Sequence, residues 1–136
     1  MVLFSKLHRM IASLALVAGL ALACSADIQL GLDGANELLF QHQYVEAERL
    51  YRKLLNQLDA KPNLAPQEHE HRLLILERLG RINSLYLRDY NKAIEDYRQL
   101  VSDYEKSDEA FAARATVADI YHHKLGKPQA ALDEFQ

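Results

Sequence analysis

The sequence predicts an all-α protein, built from antiparallel helix pairs that stack as a solenoid whose last repeat is incomplete. Three observations predict it. One residue pattern occurs three times with identical offsets: a small residue, a turn residue ten positions on, Ala three later and an aromatic four after that. The copies are Gly34, Tyr44, Ala47, Tyr51; then Gly80, Tyr90, Ala93, Tyr97; then Ala118, Pro128, Ala131, Phe135. They start 46 and then 38 residues apart, the range in which stacked helical units share a core with their neighbours. Finally, no run alternates apolar and polar residues as a strand does, and β-branched residues are scarce.

Taken in order, the first 23 residues read as a targeting segment. Lys6 and Arg9 open it, and a nearly unbroken apolar run spans Met10 to Ala23. A charged start, a short apolar stretch and small residues at the cut make a secretory signal. The run is too short to cross a bilayer core, which takes about 20 helical residues. Cys24, the sole cysteine, stands at the cut. Ala21-Leu22-Ala23-Cys24 resembles the lipobox of bacterial lipoproteins, although Ala21 stands where that family prefers Leu. The resemblance implies a diacylglyceryl group on the Cys24 thiol, and Ser25 after it implies passage to the outer membrane. Acyl chains contribute about 0.8 kcal/mol per buried CH₂, so two or more make a stable anchor. Ala21-x-Ala23 would also suit an ordinary signal peptidase, whose product, the lesser alternative, would be a soluble periplasmic protein. Residues 24–33 read as a lipidated tether, and 34–136 as the helical repeat domain. Beyond residue 23 the chain carries 14 Lys and Arg against 19 Asp and Glu, with no basic patch dense enough for nucleic acid.

Helix follows helix from there. In 45–58, Val45, Leu50, Leu54, Leu55 and Leu58 recur near helical spacing, with Glu46, Glu48, Arg49 and Lys53 opposite. Lys61 to Pro66 breaks the chain, and Pro66 followed by Glu68 and Glu70 starts a long helix over 66–87. Arg88-Asp89-Tyr90-Asn91 turns the chain into a helix over 91–104. Ser107 is placed to cap one over 109–124. Gly126-Lys127-Pro128 closes it and opens a last helix. That helix stops one residue after Phe135 and leaves Leu132 and Phe135 uncovered. The abrupt stop reads as a piece of a longer protein, or as an end that a partner covers.

The three copies resemble tetratricopeptide repeats, whose second helix begins with an aromatic, has Ala three residues later and an aromatic four after that. Tyr44 to Tyr51 and Tyr90 to Tyr97 carry the match, and Leu125 to Phe135 carries its turn and half its helix. Small residues at Gly34, Gly80 and Ala118, and at Ala47, Ala93 and Ala131, are expected where paired helices cross. The small residue precedes the Ala by 13 positions here, where the family usually has 12, and the usual tryptophan is missing. The longer period also resembles repeats of bacterial envelope lipoproteins that act as assembly or coordination factors.

The resemblance implies a non-catalytic scaffold that binds a peptide or partner protein in a groove lined by the first helix of each pair. Transferring the family's groove positions from each small residue points to Asn36, Leu39 and Phe40; to Ile82, Leu85 and Tyr86; and to Asp119, His122 and His123. The alternative is an accessory domain of a larger envelope enzyme whose catalytic part lies beyond residue 136. No catalytic residue, cofactor or metal site is expected. The chain lacks C-x-x-C-H, G-x-S-x-G and a Gly-rich phosphate loop. His69 and His71 diverge by about 200° on a helix, and adjacent His122 and His123 by about 100°, whereas metal-binding pairs need a spacing of three or four.

Overall fold

The computed structural model describes residues 27–136, so Cys24 and the targeting segment lie outside the described residues. Among the described residues every regular element is a helix. The first, α1, is helical over 27–40. It is followed by α2 (Tyr44–Asp59), α3 (Pro66–Arg81), α4 (Tyr90–Asp103), α5 (Asp108–Asp119) and α6 (Pro128–Asp133). They form three antiparallel pairs, α1/α2, α3/α4 and α5/α6, each packed on the next. The tether expected over 24–33 is corrected for its described part. Residues 27–33 belong to α1, because Ile28 and Leu32 recur at helical spacing and are buried in the core.

Local chemistry sets the helix limits. Ala47, Tyr51, Leu54, Leu55 and Leu58 make the buried stripe of α2, with exposed Glu46, Arg49 and Lys53 on its other face. Pro66 occupies the first turn of α3, and the Glu68 carboxylate accepts the Ala65 N–H at 3.0 Å. Asp89 caps α4 by accepting the Lys92 N–H at 3.2 Å, and Ser107 caps α5 by accepting the Ala110 N–H at 3.1 Å.

All three first helices end alike. His42, Arg88 and Gly126 have φ of 60°, 55° and 63°, and each lies two residues before the turn residue Tyr44, Tyr90 or Pro128. This left-handed residue reverses the chain into the second helix. Only the third copy puts glycine there, where the conformation carries no Cβ penalty.

The identical sequence offsets nevertheless hide a difference. Helices α3 and α5 continue into π-helical turns, Ile82–Leu87 and Ile120–Lys124, whereas α1 has no such turn among its described residues. A π turn holds one more residue than the α turn it replaces. The closing hydrogen bonds show the surplus: Gln43 N–H donates to Leu38 O, five residues back, but Lys127 N–H donates to Tyr121 O, six back. The expectation that Gly34 marks a helix crossing is therefore corrected. A Cβ on Gly34 would meet only Leu50, at 3.6 Å, whereas one on Gly80 would lie 2.6 Å from the Tyr97 ring. The buried small residue of the first pair is the next one, Ala35, at 0% exposure. Ala35 to Ala47 is 12 residues, the spacing that Gly80–Ala93 and Ala118–Ala131 also reach once the extra residue of each π turn is discounted.

The pairs are joined by an ion pair that repeats in register. Arg52 follows Tyr51 and grips Asp96, the residue before Tyr97, at 2.6 and 3.0 Å. Arg98 follows Tyr97 and pairs with Glu134, the residue before Phe135. One rule thus operates at both joints: the cation after one aromatic meets the acid before the next. Arg72 adds a second link, reaching from α3 to Asp59 at the end of α2 (2.7 Å) and Asp103 at the end of α4 (2.8 Å). A cation between two helix C-termini also meets the negative ends of both dipoles.

Candidate functional site: a groove along the first helices

Stacking the pairs sets α1, α3 and α5 side by side, and a cleft opens between each neighbouring two. The larger, of about 400 Å³, lies between α3 and α5. Leu73 and Leu74 form one wall, Ala112, Ala113 and Thr116 the other, and Tyr97 enters from α4. The smaller, of about 230 Å³, lies between α1 and α3, with Leu39 and Phe40 facing Arg78 and Tyr86. Arg81 lines both clefts, so they form one groove that crosses α3.

Packing fixes the groove walls. Tyr44 stacks on Tyr86 with ring centroids 4.0 Å apart and planes 8° apart, which ties the start of α2 to the π turn of the second pair. Tyr51 is fully buried, and its hydroxyl donates to Asn36 Oδ1 at 2.6 Å. Burial pushes the Tyr51 and Tyr97 phenols above their ordinary pKa, so both stay protonated donors. Behind the groove Asp96 accepts from Asn83 Nδ2 at 2.9 Å as well as from Arg52. Burial still holds the Asp96 carboxyl above its ordinary range against the pull of both partners.

The nine positions transferred from the family have separate fates. Leu39, Phe40 and Tyr86 line the smaller cleft, with Phe40 82% exposed. Leu85 is exposed beside Tyr86. Asn36 is exposed, and its side-chain oxygen is engaged by Tyr51. Ile82 also lines the smaller cleft but is only 1% exposed, because it continues the buried α-helical stripe of Ile75 and Leu79. Asp119, His122 and His123 are exposed and line neither cleft. The divergence expected of the two histidines is not realised. Rotation about the side-chain bonds brings His122 Nδ1 to 3.2 Å from His123 Nε2, and Asp119 lies 3.6 Å from His123. No group of three or more His, Cys, Asp and Glu among the described residues is arranged to hold a metal ion.

Sequence reasoning missed the larger cleft. Its signal was present as a second stripe beside the core stripe: Leu73, Glu77 and Arg81 recur every four residues on α3, and Glu109, Ala112 and Thr116 every three or four on α5. No helix among the described residues is long and apolar enough to cross a membrane. Comparison with known proteins finds no matching family model, no similar curated protein and no similar solved structure.

Proposed function

We propose that this chain is a tetratricopeptide-like interaction module of the bacterial cell envelope, which holds a peptide or partner protein in the groove along α1, α3 and α5. The observation that carries the reading is the continuity of two clefts across α3 through Arg81, with apolar walls and charged residues on their rims. A surface of this kind offers side-chain slots at helix spacing and suits recognition better than chemistry. The reading includes no catalytic role. It places the module at the periplasmic face of the outer membrane, anchored by lipid on Cys24. The support for that placement is the signal pattern that ends at a sole cysteine.

Two tests apply. Ala112 is exposed on the wall of the larger cleft, so Ala112→Trp should fill it without entering the core. Peptides selected from a random library by the full chain should lose binding to Ala112→Trp and keep it to Lys53→Ala, on the outer face of α2. Binding that survives Ala112→Trp would refute the groove. Labelled palmitate should enter the wild type and not Cys24→Ala; a soluble, unlabelled wild-type product would refute the anchor.

A further inference from the structure

The groove has a charge direction. At its α1 end the smaller cleft is lined by Arg78 and Arg81 and by no acid. At its α5 end the larger cleft carries Glu109, which forms no ion pair. Glu77 stands between, 3.2 Å from Arg81 and 3.7 Å from Arg78. One carboxylate shared by two guanidiniums leaves about one positive charge uncompensated at the α1 end. Arg78 Nε is buried and has only the 3.7 Å Glu77 contact, while about a third of the Arg78 side chain stays exposed. From α1 to α5 the groove thus runs from positive, through the Glu77–Arg81 pair, to negative.

We infer that the groove selects an extended peptide whose charge runs opposite to its own: an acidic side chain on Arg78 and Arg81, an apolar side chain in the cleft beside Tyr97, and a basic side chain at Glu109. This rests on the groove being the binding site. Packed helices lie about 8–10 Å apart, and an extended chain advances about 3.3 Å per residue. The acidic and apolar positions are therefore about three residues apart. The aromatic rim of Phe40, Tyr44 and Tyr86 beside the arginines lowers the local dielectric, which strengthens a carboxylate contact there relative to one in open water. Opposed charge patterns also exclude wrong registers and the reversed chain direction, since each brings like charges together.

The test is selection from a random twelve-residue peptide library by the full chain, by Arg81→Glu and by Glu109→Lys, with Ala112→Trp as the blocked control. Both charge-swapped residues are exposed, and circular dichroism confirms that each variant keeps its helix content. Wild-type selection should enrich Asp or Glu about three residues from Leu, Phe or Tyr, with Lys or Arg beyond the apolar residue. Arg81→Glu should bind the wild-type peptides at least tenfold more weakly and select a basic residue in place of the acid. Glu109→Lys should exchange the basic position for an acidic one. If Ala112→Trp abolishes binding but the swaps leave the selected pattern unchanged, the charge direction is wrong and the groove stands. If no peptide is enriched, or Ala112→Trp binds as wild type, the groove itself is refuted.

Discussion

The joint between the first and second pairs and the joint between the second and third are built from matching residues in the same register, yet their ion pairs differ in burial. At the first, Tyr51 is fully covered and Asp96 is 3% exposed as it meets Arg52. At the second, Glu134 is 12% exposed and its partner Arg98 is 55% exposed. Phe135, which holds the place of Tyr51 and Tyr97 in the pattern, is 57% exposed among the described residues, whereas Tyr97 is 5% exposed. A repeat motif therefore does not carry a fixed energy. Tyr51 is enclosed where α1, through Asn36, and the neighbouring pair meet α2, while Phe135 stays more than half exposed among the described residues.

The largest effects should come from the aromatics. Tyr51→Ala or Tyr97→Ala removes a buried ring and should lower stability by about 3–5 kcal/mol in denaturant melts. Phe135→Ala should change it by about 0.5 kcal/mol or less, as an exposed substitution does. A comparable loss at Phe135 would mean that the third pair is sealed in solution by self-association. The exposed Leu132 and Phe135 invite that, and sedimentation would detect it.

The ion pairs come next. Asp96→Ala strands the buried Asn83 amide and leaves the Arg52 guanidinium with Glu48 alone, at a cost of about 1–3 kcal/mol. Glu134→Ala, at the equivalent position, should cost no more than about 1 kcal/mol and should be screened by salt. Equal costs would erase the distinction between the two joints.

A smaller contrast concerns the two glycines that share one place in the sequence pattern. Gly80→Ala drives a methyl into the Tyr97 ring and should cost about 1–3 kcal/mol. Gly34→Ala meets ordinary contact distance within a helix and should gain up to about 1 kcal/mol. A loss at Gly34 would restore the register that the sequence offsets alone imply.

The smallest effect is an acid signature at the first joint. Hydrogen bonds from Lys61 and from the Ala65 N–H hold the Glu68 carboxyl below its ordinary value. An acid with a depressed folded pKa contributes stability above its unfolded value, 4.5, and loses it as pH falls through the folded one. Glu68→Gln should therefore flatten the stability-versus-pH curve below about 4.5. An unchanged curve would show that the Lys61–Glu68 contact does not persist in solution.

What the sequence made legible follows from what is local. The helix limits were readable because Pro66, Asp89, Ser107 and Gly126 act through their own backbone neighbours. The inter-pair ion pairs were readable too, as Tyr51-Arg52, Asp96-Tyr97-Arg98 and Glu134-Phe135, but only after the aromatics were known to sit at the joints. The π turns were not readable, because an inserted residue leaves no composition signal and the offsets happened to agree. That one concealed residue misplaced Gly34 as a crossing residue. It left Phe40 and Tyr86 near the groove because each lies two residues before a left-handed turn, which fixes their place from the other side. The Arg81-centred groove depends on the rotation of α3 against both α1 and α5, a tertiary quantity that no single periodicity contains.

The central claim is that the first two pairs form a sealed unit on which the third is only partly closed. Native-state hydrogen exchange of the full chain, followed by mass spectrometry, tests it most directly. Amides of 120–124 and α6 should exchange through local opening well below the global unfolding free energy, while those of α2, α3 and α4 exchange only with global unfolding. Equal protection of α6 and α2 would contradict the account.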